Sequence, residues 1–410
     1  MEIYLVGGAV RDKLLNRPVG EKDWVVVGGS PAELEADGYK QVGKDFPVFL
    51  HPETGEEYAL ARTETKTGPG HRGFEVYAES DVSLEDDLLR RDLTINAIAE
   101  SSDGTLTDPY GGRADIEAKL LRHVSDAFRE DPLRVLRVAR FAARFHKLGF
   151  SVATDTLELM KEMAAGGELD TLVAERVWKE TAIALGESRP DIFIETLRNC
   201  GALEIVFPEI DRLFGVPQPP KWHPEIDTGI HVLLVMQQAA ALSDSLPVRF
   251  AAMVHDLGKG TTDKRWWPSH RGHEQRSVEL INELCDRLGA PNHCRDIALH
   301  VGLYHGHSHR ALQLRPDTVL KLIENTDAFR RPERFEEFLL ACEADARGRT
   351  GMEERPYHQA TILRAALAAA VDISSEALQE QGLEGPEFGA ALRQARLEAV
   401  TAALAGVRGG

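Results

Sequence analysis

The spacing of apolar residues changes once along the chain, and this change limits the folds it can adopt. Short apolar runs typical of strands occupy residues 3–6 and 23–27 and recur in "FPVFLH", "EYALAR" and "FEVYA". A helical pattern, "AVRDKLL", follows Gly7-Gly8. From "DDLLRRDLTINAIA" onward, apolar residues recur at intervals of three and four. The sequence therefore predicts a small α/β or α+β unit ending between residues 115 and 140, followed by an all-α remainder.

The length of the chain predicts several domains. A single core rarely grows beyond about 250–300 residues, and this chain has 410. The proline-rich stretch 214–229 predicts a linker, a histidine-rich helical block follows to about residue 350, and an alanine-rich helical segment comes after it. We expect four parts, at residues 1–140, 141–220, 226–350 and 351–410.

The net charge of −18 would by itself argue against a nucleic-acid partner, because phosphate contacts need lysine and arginine. The charge is uneven, however. Residues 131–150 contain five Lys or Arg residues and one Asp. On a helix, Arg134, Arg137, Arg140 and Arg144 share one face about 120° wide. This face suits an anionic partner.

Cysteine spacing and hydropathy exclude several other classes of protein. The four cysteines include no CxxC pair, which argues against a zinc knuckle or a disulfide framework. No apolar run reaches the roughly 18–20 residues that a membrane helix needs. The opening "MEIYLVGG" has no basic region typical of a signal peptide. We expect a protein of the reducing cytoplasm.

Two short patterns in the first 30 residues are candidates for nucleotide chemistry. Gly7-Gly8, with Arg11 after it, lies between a strand and a helix, where backbone N–H groups can approach phosphate; a tight turn is the alternative. Glu21 and Asp23 would point the same way on a strand. A divalent cation could then lie between their carboxylates, although a solvated turn would also explain them.

Two charged segments complete the first pattern. Arg90, Arg91 and Asp92 are expected at the start of a helix, and Glu130 and Asp131 precede the arginine face. Each segment alone could be charge compensation at a helix terminus. In order, however, G-G-x-x-R-D, E-x-D, R-R-D-x-T-I-N-A and E-D-x-x-R lie within the first 140 residues. Together they indicate a nucleotidyl-transfer site.

These motifs resemble those of the bacterial CCA-adding enzymes, the tRNA nucleotidyltransferases whose class includes bacterial poly(A) polymerases, and the likeness extends over the whole chain. The resemblance implies a DNA-polymerase-β-like nucleotidyltransferase head followed by helical neck, body and tail. It also implies Mg²⁺-dependent addition of C, C and A to tRNA from CTP and ATP without a nucleic-acid template. The metal motif of the family is most often D-x-D, whereas this chain has E-x-D, which keeps the oxygen ligands.

The resemblance also assigns roles to residues. Glu21 and Asp23 would hold Mg²⁺, and Asp131 and Arg134 would face the Watson–Crick edge of the incoming base. A carboxylate can accept from the exocyclic amine of cytosine or adenine, and a guanidinium can donate to the ring acceptors. The remaining nucleotide-binding residues would be Gly8, Arg11, Arg91, Arg137 and Arg140.

A second pattern combines histidines with aspartates in the C-terminal half. A single pair such as His255-Asp256 is commonly a surface feature, but H…HD…H…D at these spacings resembles the HD phosphohydrolases. Imidazole and carboxylate together suit a divalent transition metal, which lowers the pKa of bound water. The resemblance implies Ni²⁺ as the metal and 2′,3′-cyclic phosphodiesterase, 2′-nucleotidase and phosphatase activities. The candidate ligands are His231, His255, Asp256 and Asp345.

Other residues of the histidine-rich block have weaker assignments. His273 and His305 are expected to join a second metal or to bind phosphate, and Lys259 to hold phosphate. The remaining histidines occupy what look like loops, and we expect them to be exposed to solvent without binding a metal: His270, His293, His307 and His309.

Two further functions stay open. A poly(A) polymerase would share the head motifs, although the HD block and the absence of a basic C-terminal extension favour CCA addition. An HD phosphohydrolase whose transferase half only binds RNA is the other alternative, and Glu21 is the one residue that favours it. The expected partners are tRNA, CTP and ATP, without a membrane. We expect a monomer with at most weak self-association.

Overall fold

The structure is a computed structural model that describes residues 1–42, 48–66, 74–78, 80–374 and 383–408. The chain divides into two compact units. The first comprises Met1–Glu180 and Glu195–Val206, and the second comprises Thr181–Ile194 and Phe207–Gly410.

Eleven strands occur in the described residues. Strands β1 to β11 span Glu2–Val6, Asp23–Val27, Lys40–Val42, Val48–Leu50, Glu57–Leu60, Thr63–Lys66, Phe74–Tyr77, Ala99–Ser101, Leu106–Thr107, Leu120–Leu121 and Ser151–Val152. Seven of them form one sheet in the order β3-β4-β5-β2-β1-β8-β9.

Helices make up most of the remaining described chain. Helices α1 to α18 span Gly8–Leu14, Pro31–Ala36, Leu84–Leu89, Gly112–Ala118, Leu133–Phe145, Thr154–Ala165, Ala174–Gly186, Asp191–Asn199, Ala202–Val206, Pro208–Asp211, Thr228–Leu242, Leu246–Val254, His273–Leu288, Asn292–His309, Pro316–Asn325, Pro332–Arg347, His358–Val371 and Gly385–Arg408. No helix in the described ranges combines the length and the apolar character needed to cross a bilayer.

The centre of the sheet confirms the first two predicted strands. β1 pairs antiparallel with β2 and β8, and β2 pairs parallel with β5. Val25 and Val26 of β2 pack into different hydrophobic clusters. A strand covered on both faces needs an unbroken apolar run, which explains "WVVV". In this register Asp23 lies opposite Val6, so the start of β2 lies beside the turn into α1.

The expectation that Arg90, Arg91 and Asp92 begin a helix is wrong. α3 ends at Leu89, and only a 3₁₀ turn at Thr94–Asn96 separates it from β8. Asp92 Oδ1 accepts from the backbone N–H of Leu93 at 2.8 Å and from Asn96 Nδ2 at 2.9 Å. Such local side-chain bonds compete with helix formation. β8 and β9 were missed because their short segments show no alternation.

Close packing holds the 3₁₀ turn in place. α4 begins at Gly112, and a Cβ atom on this residue would lie 2.2 Å from the carbonyl oxygen of Thr94. Thr94 Oγ1 in turn donates to Asp115 Oδ2 at 2.7 Å. A glycine is therefore required where α4 meets the turn that carries Asn96.

The second unit is helical, as predicted. α11, α12 and α16 share a hydrophobic cluster of Val235, Ala239, Ala252 and Ala344. These helices and α14 pack against one another. The packing brings together residues from α11, from the end of α12, from α14 and from α16, which are the segments that contain the predicted metal ligands.

The predicted linker 214–229 is a packed loop. Gln218 and Thr228 in this stretch are 1% and 0% exposed, and Pro217 forms an isolated bridge with Asp227. Thr228 also donates from its hydroxyl to the Val216 carbonyl at 2.8 Å. The loop therefore packs against the rest of the second unit despite its prolines.

Candidate functional site

A cavity of about 910 Å³ in the first unit is lined by every residue to which the family resemblance assigns a role in nucleotidyl transfer, but not by Glu130 of the E-D-x-x-R motif. The α1 turn, the start of β2, the end of α3, and helices α5 and α7 all contribute to its wall. The predicted residues that line it are Gly8, Arg11, Glu21, Asp23, Arg91, Asp131, Arg134, Arg137 and Arg140.

The two candidate Mg²⁺ ligands differ in position from the expected strand pair. Asp23 is the first residue of β2, whereas Glu21 lies in a bend before the strand. Lys22 points elsewhere, and its Nζ lies 3.1 Å from Glu56 Oε1. Burial raises the pKa of Asp23, Glu21 adds to this effect, and Arg91 opposes it. Two carboxylates that repel each other in this way fit a hard divalent cation.

Arg11 is fixed at the turn into α1. Its Nη1 donates to Asn96 Oδ1 at 2.6 Å and its Nε donates to Asp12 Oδ1 at 3.0 Å. The side chain is buried, and its guanidinium carbon lies 5.3 and 5.0 Å from the ring centres of Phe141 and Phe145. Burial lowers the pKa of Arg11, but an arginine remains charged in proteins. The turn thus presents a fixed cation to the cavity.

Arg91 reaches the same turn from the end of α3. A Cβ atom on Gly7 would lie 3.0 Å from Arg91 Nη1, and Gly7 has a φ of +68°. The fully buried carboxylate of Asp87 accepts hydrogen bonds from Arg90 Nη2 at 2.6 Å and from Arg91 Nη2 at 3.0 Å. Burial alone would raise the pKa of Asp87, but these two arginines lower it overall.

Two acids hold the arginine face of α5. Asp92 Oδ2 accepts from Arg137 Nε at 2.8 Å, and Glu180 Oε2 accepts from Arg140 Nε at 2.5 Å. Burial would raise the pKa of Asp92, but Arg137 and the bond from Asn96 lower it well below its usual range. Glu180 was not among the predicted site residues. Glu180 lies three residues after Val177, on the face of α7 where a buried apolar residue would be expected. A charged residue at that position was the one indication in the sequence.

The predicted base-reading residues already have protein partners. The Asp131 carboxylate accepts two hydrogen bonds from Arg176, of 3.2 and 2.8 Å. Arg134 donates to the carbonyl oxygens of Ala127 and Arg90, both at 2.6 Å. Arg176 also lines the cavity. It lies 45 residues from Asp131 and carries no motif, so the sequence offered no signal for it.

The second candidate site is a histidine–aspartate cluster in the second unit. Two groups of potential ligands form its centre, and a third group, His223, Glu225 and His231, shares His231 with the first of them. In each group the potential ligand atoms lie within 4.8 Å of one another. His231, His255 and Asp345 form the first group, and Asp256 joins His273 and His305 in the second. The four expected ligands are thus divided between two adjacent groups.

The histidines of both groups share one orientation. In all four, the ring Nδ1 lies within hydrogen-bond distance of a backbone carbonyl oxygen. The pairs are His231 with Gly348 at 3.0 Å, His255 with Ala252 at 3.0 Å, His273 with His270 at 3.0 Å, and His305 with Val301 at 2.9 Å. A carbonyl only accepts, so each Nδ1 carries a proton, and a ring in its neutral form directs the Nε2 lone pair inward. This is how proteins orient metal-binding histidines.

The inward-facing atoms need a cation. His231 Nε2 lies 3.1 Å from Asp345 Oδ1, and His255 Nε2 lies 3.3 Å from Asp256 Oδ2. Among the described residues, His255 Nε2 and Asp256 Oδ1 are buried without a hydrogen-bond partner. Lone pairs facing carboxylates repel unless a proton or a metal ion intervenes. The residues present therefore fit a bound divalent metal.

Lys259 supplies a cation next to this cluster. Its Nζ lies 2.6 Å from Asp256 Oδ2 and 2.6 Å from Gln218 Oε1, and the residue is buried. Burial would raise the pKa of Asp256, but Lys259, followed by His255, lowers it well below its usual range.

The expectation that four histidines are solvent-exposed in loops is wrong in part: His270 lies in a loop but is buried, and the other three lie on α14, where the side chain of His293 is still 43% exposed. His270 is 2% exposed, and its Nε2 donates to the Pro217 carbonyl at 2.8 Å. The other three, His293, His307 and His309, lie partly buried on α14. Regular apolar spacing is weak on this helix because several inward positions are histidines.

His309 contacts the cluster directly. Its Nε2 donates to Asp345 Oδ2 at 2.5 Å, so its Nδ1 accepts from the Tyr357 hydroxyl at 3.0 Å. Ser308 Oγ lies 2.8 Å from the same hydroxyl. One feature of the sequence pointed to His309: its four-residue spacing from His305, which places both on one helix face.

Comparisons with known proteins identify the domains that contain the two candidate sites. The family model described as "Poly A polymerase head domain" matches residues 3–122, "Probable RNA and SrmB- binding site of polymerase A" matches 149–214, and "HD domain" matches 228–346. The "Multifunctional CCA protein" of Thioalkalivibrio sulfidiphilus is 65% identical over 98% of each chain. The protein of the same name from Nitrosococcus oceani is 60% identical over 100% of each.

Solved structures give the same fold. "The structure of CCA-adding enzyme apo form II" covers 98% of this chain and 88% of that one, with a TM-score of 0.66 and 20% identity. The Bacillus stearothermophilus CCA-adding enzyme in complex with CTP covers 98% and 88%, with a TM-score of 0.62 and 25% identity. The predicted fold class, an α+β nucleotidyltransferase head followed by helical and HD domains, is confirmed.

Proposed function

The chain belongs to the multifunctional CCA proteins, and we propose that its two sites carry out two reactions on tRNA ends. The cavity of the first unit adds C, C and A to the 3′ end of tRNA from CTP and ATP. The histidine–aspartate cluster of the second unit hydrolyses phosphate esters. The observation that carries the first assignment is the convergence on one cavity of the Glu21–Asp23 pair, the arginines that follow α3 and those of α5.

In the first reaction, Glu21 and Asp23 hold Mg²⁺. When bound, the ion would activate the 3′-hydroxyl of tRNA and stabilise the departing pyrophosphate. The protein's own contribution is to position the triphosphate. Arg11 and Arg91 approach it from the turn at Gly8, and Arg137 and Arg140 approach it from α5.

Asp131 and Arg134 select the base in this proposal. Cytosine and adenine each offer an exocyclic amine beside a ring acceptor, which suits a carboxylate beside a guanidinium. Guanine and uracil present the opposite order and would leave buried polar groups unpaired, which is a strong basis for rejection. Because Asp131 is bound by Arg176 and Arg134 by two carbonyls, base recognition requires these contacts to be shared or exchanged.

In the second reaction, the two ligand groups hold one or two divalent metal ions, of which Ni²⁺ is the proposed one. Bound metal would lower the pKa of a water molecule to give a nucleophile near neutral pH. His231, His255 and Asp345 form the first ligand set, and Asp256, His273 and His305 form the second. Lys259 binds the phosphate. The proposed activities are those of a 2′,3′-cyclic phosphodiesterase, a 2′-nucleotidase and a phosphatase.

The cellular setting follows from the substrates. tRNA, CTP and ATP meet in the cytoplasm, and the four cysteines are free and buried, which suits a reducing compartment. We place the protein in the cytoplasm and expect a monomer with at most weak self-association.

One assay separates this function from its alternatives. The protein is incubated with tRNA lacking its last three nucleotides, Mg²⁺, and labelled CTP and ATP. Three additions in the order C, C, A support the proposal. A long A tail would indicate a poly(A) polymerase, and no incorporation would indicate an HD phosphohydrolase with an inactive transferase half.

Two variants test the assignment of the sites. Asp23→Ala should abolish incorporation while leaving phosphatase activity, and His255→Ala should do the reverse and also reduce the metal content measured by mass spectrometry. Asp37→Ala, at an exposed carboxylate after α2, is the control for the first change. Loss of both activities in either folded variant would contradict the two-site assignment.

A further inference from the structure

A second cavity, of about 930 Å³, opens beside the histidine–aspartate cluster. Lys259, His273 and His309 connect it to the cluster, and Trp222 and Tyr357 also line it. It is large enough for more than a phosphate group. The remainder of its wall therefore determines which phosphate ester can enter.

Trp222 is the unusual feature of this wall. Trp222 is 57% exposed, although tryptophan side chains are usually largely buried. Lys221 Nζ lies 4.7 Å from the centre of its ring. The next residue, His223, is mostly buried, and its ring lies edge-on to that of His231 with centres 4.7 Å apart. The loop is thus anchored to the cluster on one side of Trp222 while the indole stays open to a ligand.

The inner wall has two unused hydrogen-bonding atoms. Gln218 Oε1 accepts from Lys259, so Gln218 Nε2 is a donor, and among the described residues it has no partner. His270 Nε2 donates to a carbonyl, so its Nδ1 is an acceptor, and it too has no partner. Both side chains are nearly fully buried. A phosphorylated ribose offers the complementary groups, because its phosphate accepts and its free hydroxyl donates.

Cationic side chains surround the opening. Among the described residues that line the cavity, Glu274 is the one carboxylate, and five are cationic: Lys221, Lys259, Arg310, Arg349 and Arg355. Lys259 and Arg349 are paired with Asp256 and Asp345 of the cluster, which leaves three cations against one carboxylate. In a chain with a net charge of −18, this local excess favours an anionic ligand.

We propose that this cavity binds the terminal ribonucleotide of an RNA end, with the base stacked on Trp222 and the sugar phosphate directed towards Lys259 and the cluster. The proposal rests on the phosphohydrolase function given above. Stacking on an aromatic ring tolerates any base. The site therefore recognises a phosphorylated ribonucleotide end whatever its sequence.

The test compares two substrates that differ in the base. Adenosine 2′-monophosphate and glycerol 2-phosphate are both monoesters of a secondary alcohol, and only the first has a base. Base–aromatic stacking contributes about 1–3 kcal/mol, so Trp222→Ala should lower the ratio of their kcat/KM values by about 5- to 150-fold. Trp222→Phe should retain most of the ratio.

Trp266 provides a matched control. It is 59% exposed, lies in the same unit and is not among the residues lining the cavity. Trp266→Ala should leave the ratio as in the unsubstituted protein. A ratio unchanged in Trp222→Ala, or lowered equally in both variants, would overturn the stacking proposal while leaving the phosphohydrolase function intact.

A binding measurement separates failure of this inference from failure of the proposed function. If the unsubstituted protein hydrolyses neither ester, the phosphohydrolase function is wrong, and calorimetric titration with adenosine 2′-monophosphate then decides the inference. Weaker binding to Trp222→Ala than to Trp266→Ala supports the site. Equal binding, or no binding to the unsubstituted protein, refutes it.

A longer substrate distinguishes an RNA end from a free nucleotide. A short oligoribonucleotide with a terminal 2′-phosphate should be dephosphorylated with the same dependence on Trp222. If only the mononucleotide depends on Trp222, the cavity serves free nucleotides, and the RNA part of the proposal is refuted.

Discussion

Substitution of Glu180 by glutamine should weaken the unliganded first unit and strengthen its binding of a nucleoside triphosphate. Glu180 is 5% exposed, and its carboxylate receives Arg140 Nε at 2.5 Å and lies 3.6 Å from Arg137 Nη1. The amide keeps the shape of the side chain but removes its charge. Arg140, whose side chain is 8% exposed, then keeps its charge without this counter-ion.

The size of the effect follows from burial. Removing one partner of a buried ion pair costs about 3–5 kcal/mol, and the lower value applies because Asp92 still holds Arg137. For a domain of about 150–250 residues, each kcal/mol lowers Tm by about 2–4 °C, which gives a decrease of about 6–12 °C. A bound triphosphate would replace the missing charge. The affinity for CTP should therefore rise about 3- to 10-fold, or about 0.7–1.4 kcal/mol.

Thermal unfolding with and without CTP measures both effects. Glu175→Gln, at an exposed glutamate on the same helix α7, is the matched control and should change neither. A Tm equal to that of the unsubstituted protein would show that the ion pair does not stabilise the unit. A lower Tm without a larger shift by CTP would show that Arg137 and Arg140 do not bind the triphosphate.

Three further predictions concern other parts of the molecule. Tyr357→Phe removes the hydroxyl that donates to His309, and should lower phosphatase activity about 10- to 100-fold without affecting CCA addition; an unchanged rate would refute a positioning role. Gly112→Ala should destabilise the first unit by at least about 1–3 kcal/mol in denaturant titration, because the new Cβ would clash with the backbone carbonyl of Thr94. Gly389→Ala, where a Cβ has no neighbour within 4 Å, should not destabilise the protein. Burial raises the pKa of Tyr58 to about 12, above its unfolded value of about 10, so stability present below pH 10 should fall as the pH rises towards 12, and Tyr58→Phe should reduce that fall.

The parts of the fold that were predicted correctly depend on local patterns. The strand at Asp23–Val27 follows from an apolar run, and the α5 arginines follow from helical periodicity over thirteen residues. The contacts that were not predicted join residues distant in sequence. Glu180 lies 40 residues from Arg140 and His309 lies 36 residues from Asp345. No local pattern indicates which distant helix returns to a cavity, so such partners become evident only in the folded structure.

The two sites differ in how their charged side chains are compensated when no ligand is bound. In the transferase cavity, Arg11, Arg91, Arg137 and Arg140 each contact an internal carboxylate. A triphosphate must therefore share or displace these acids, which lowers its affinity but keeps the unliganded cavity stable. In the cluster, backbone carbonyls fix the histidines while their Nε2 atoms face carboxylates. A bound divalent metal relieves the repulsion between these atoms. The second unit should consequently lose stability when metal is removed by a chelator, whereas removal of nucleotide should have much less effect on the first.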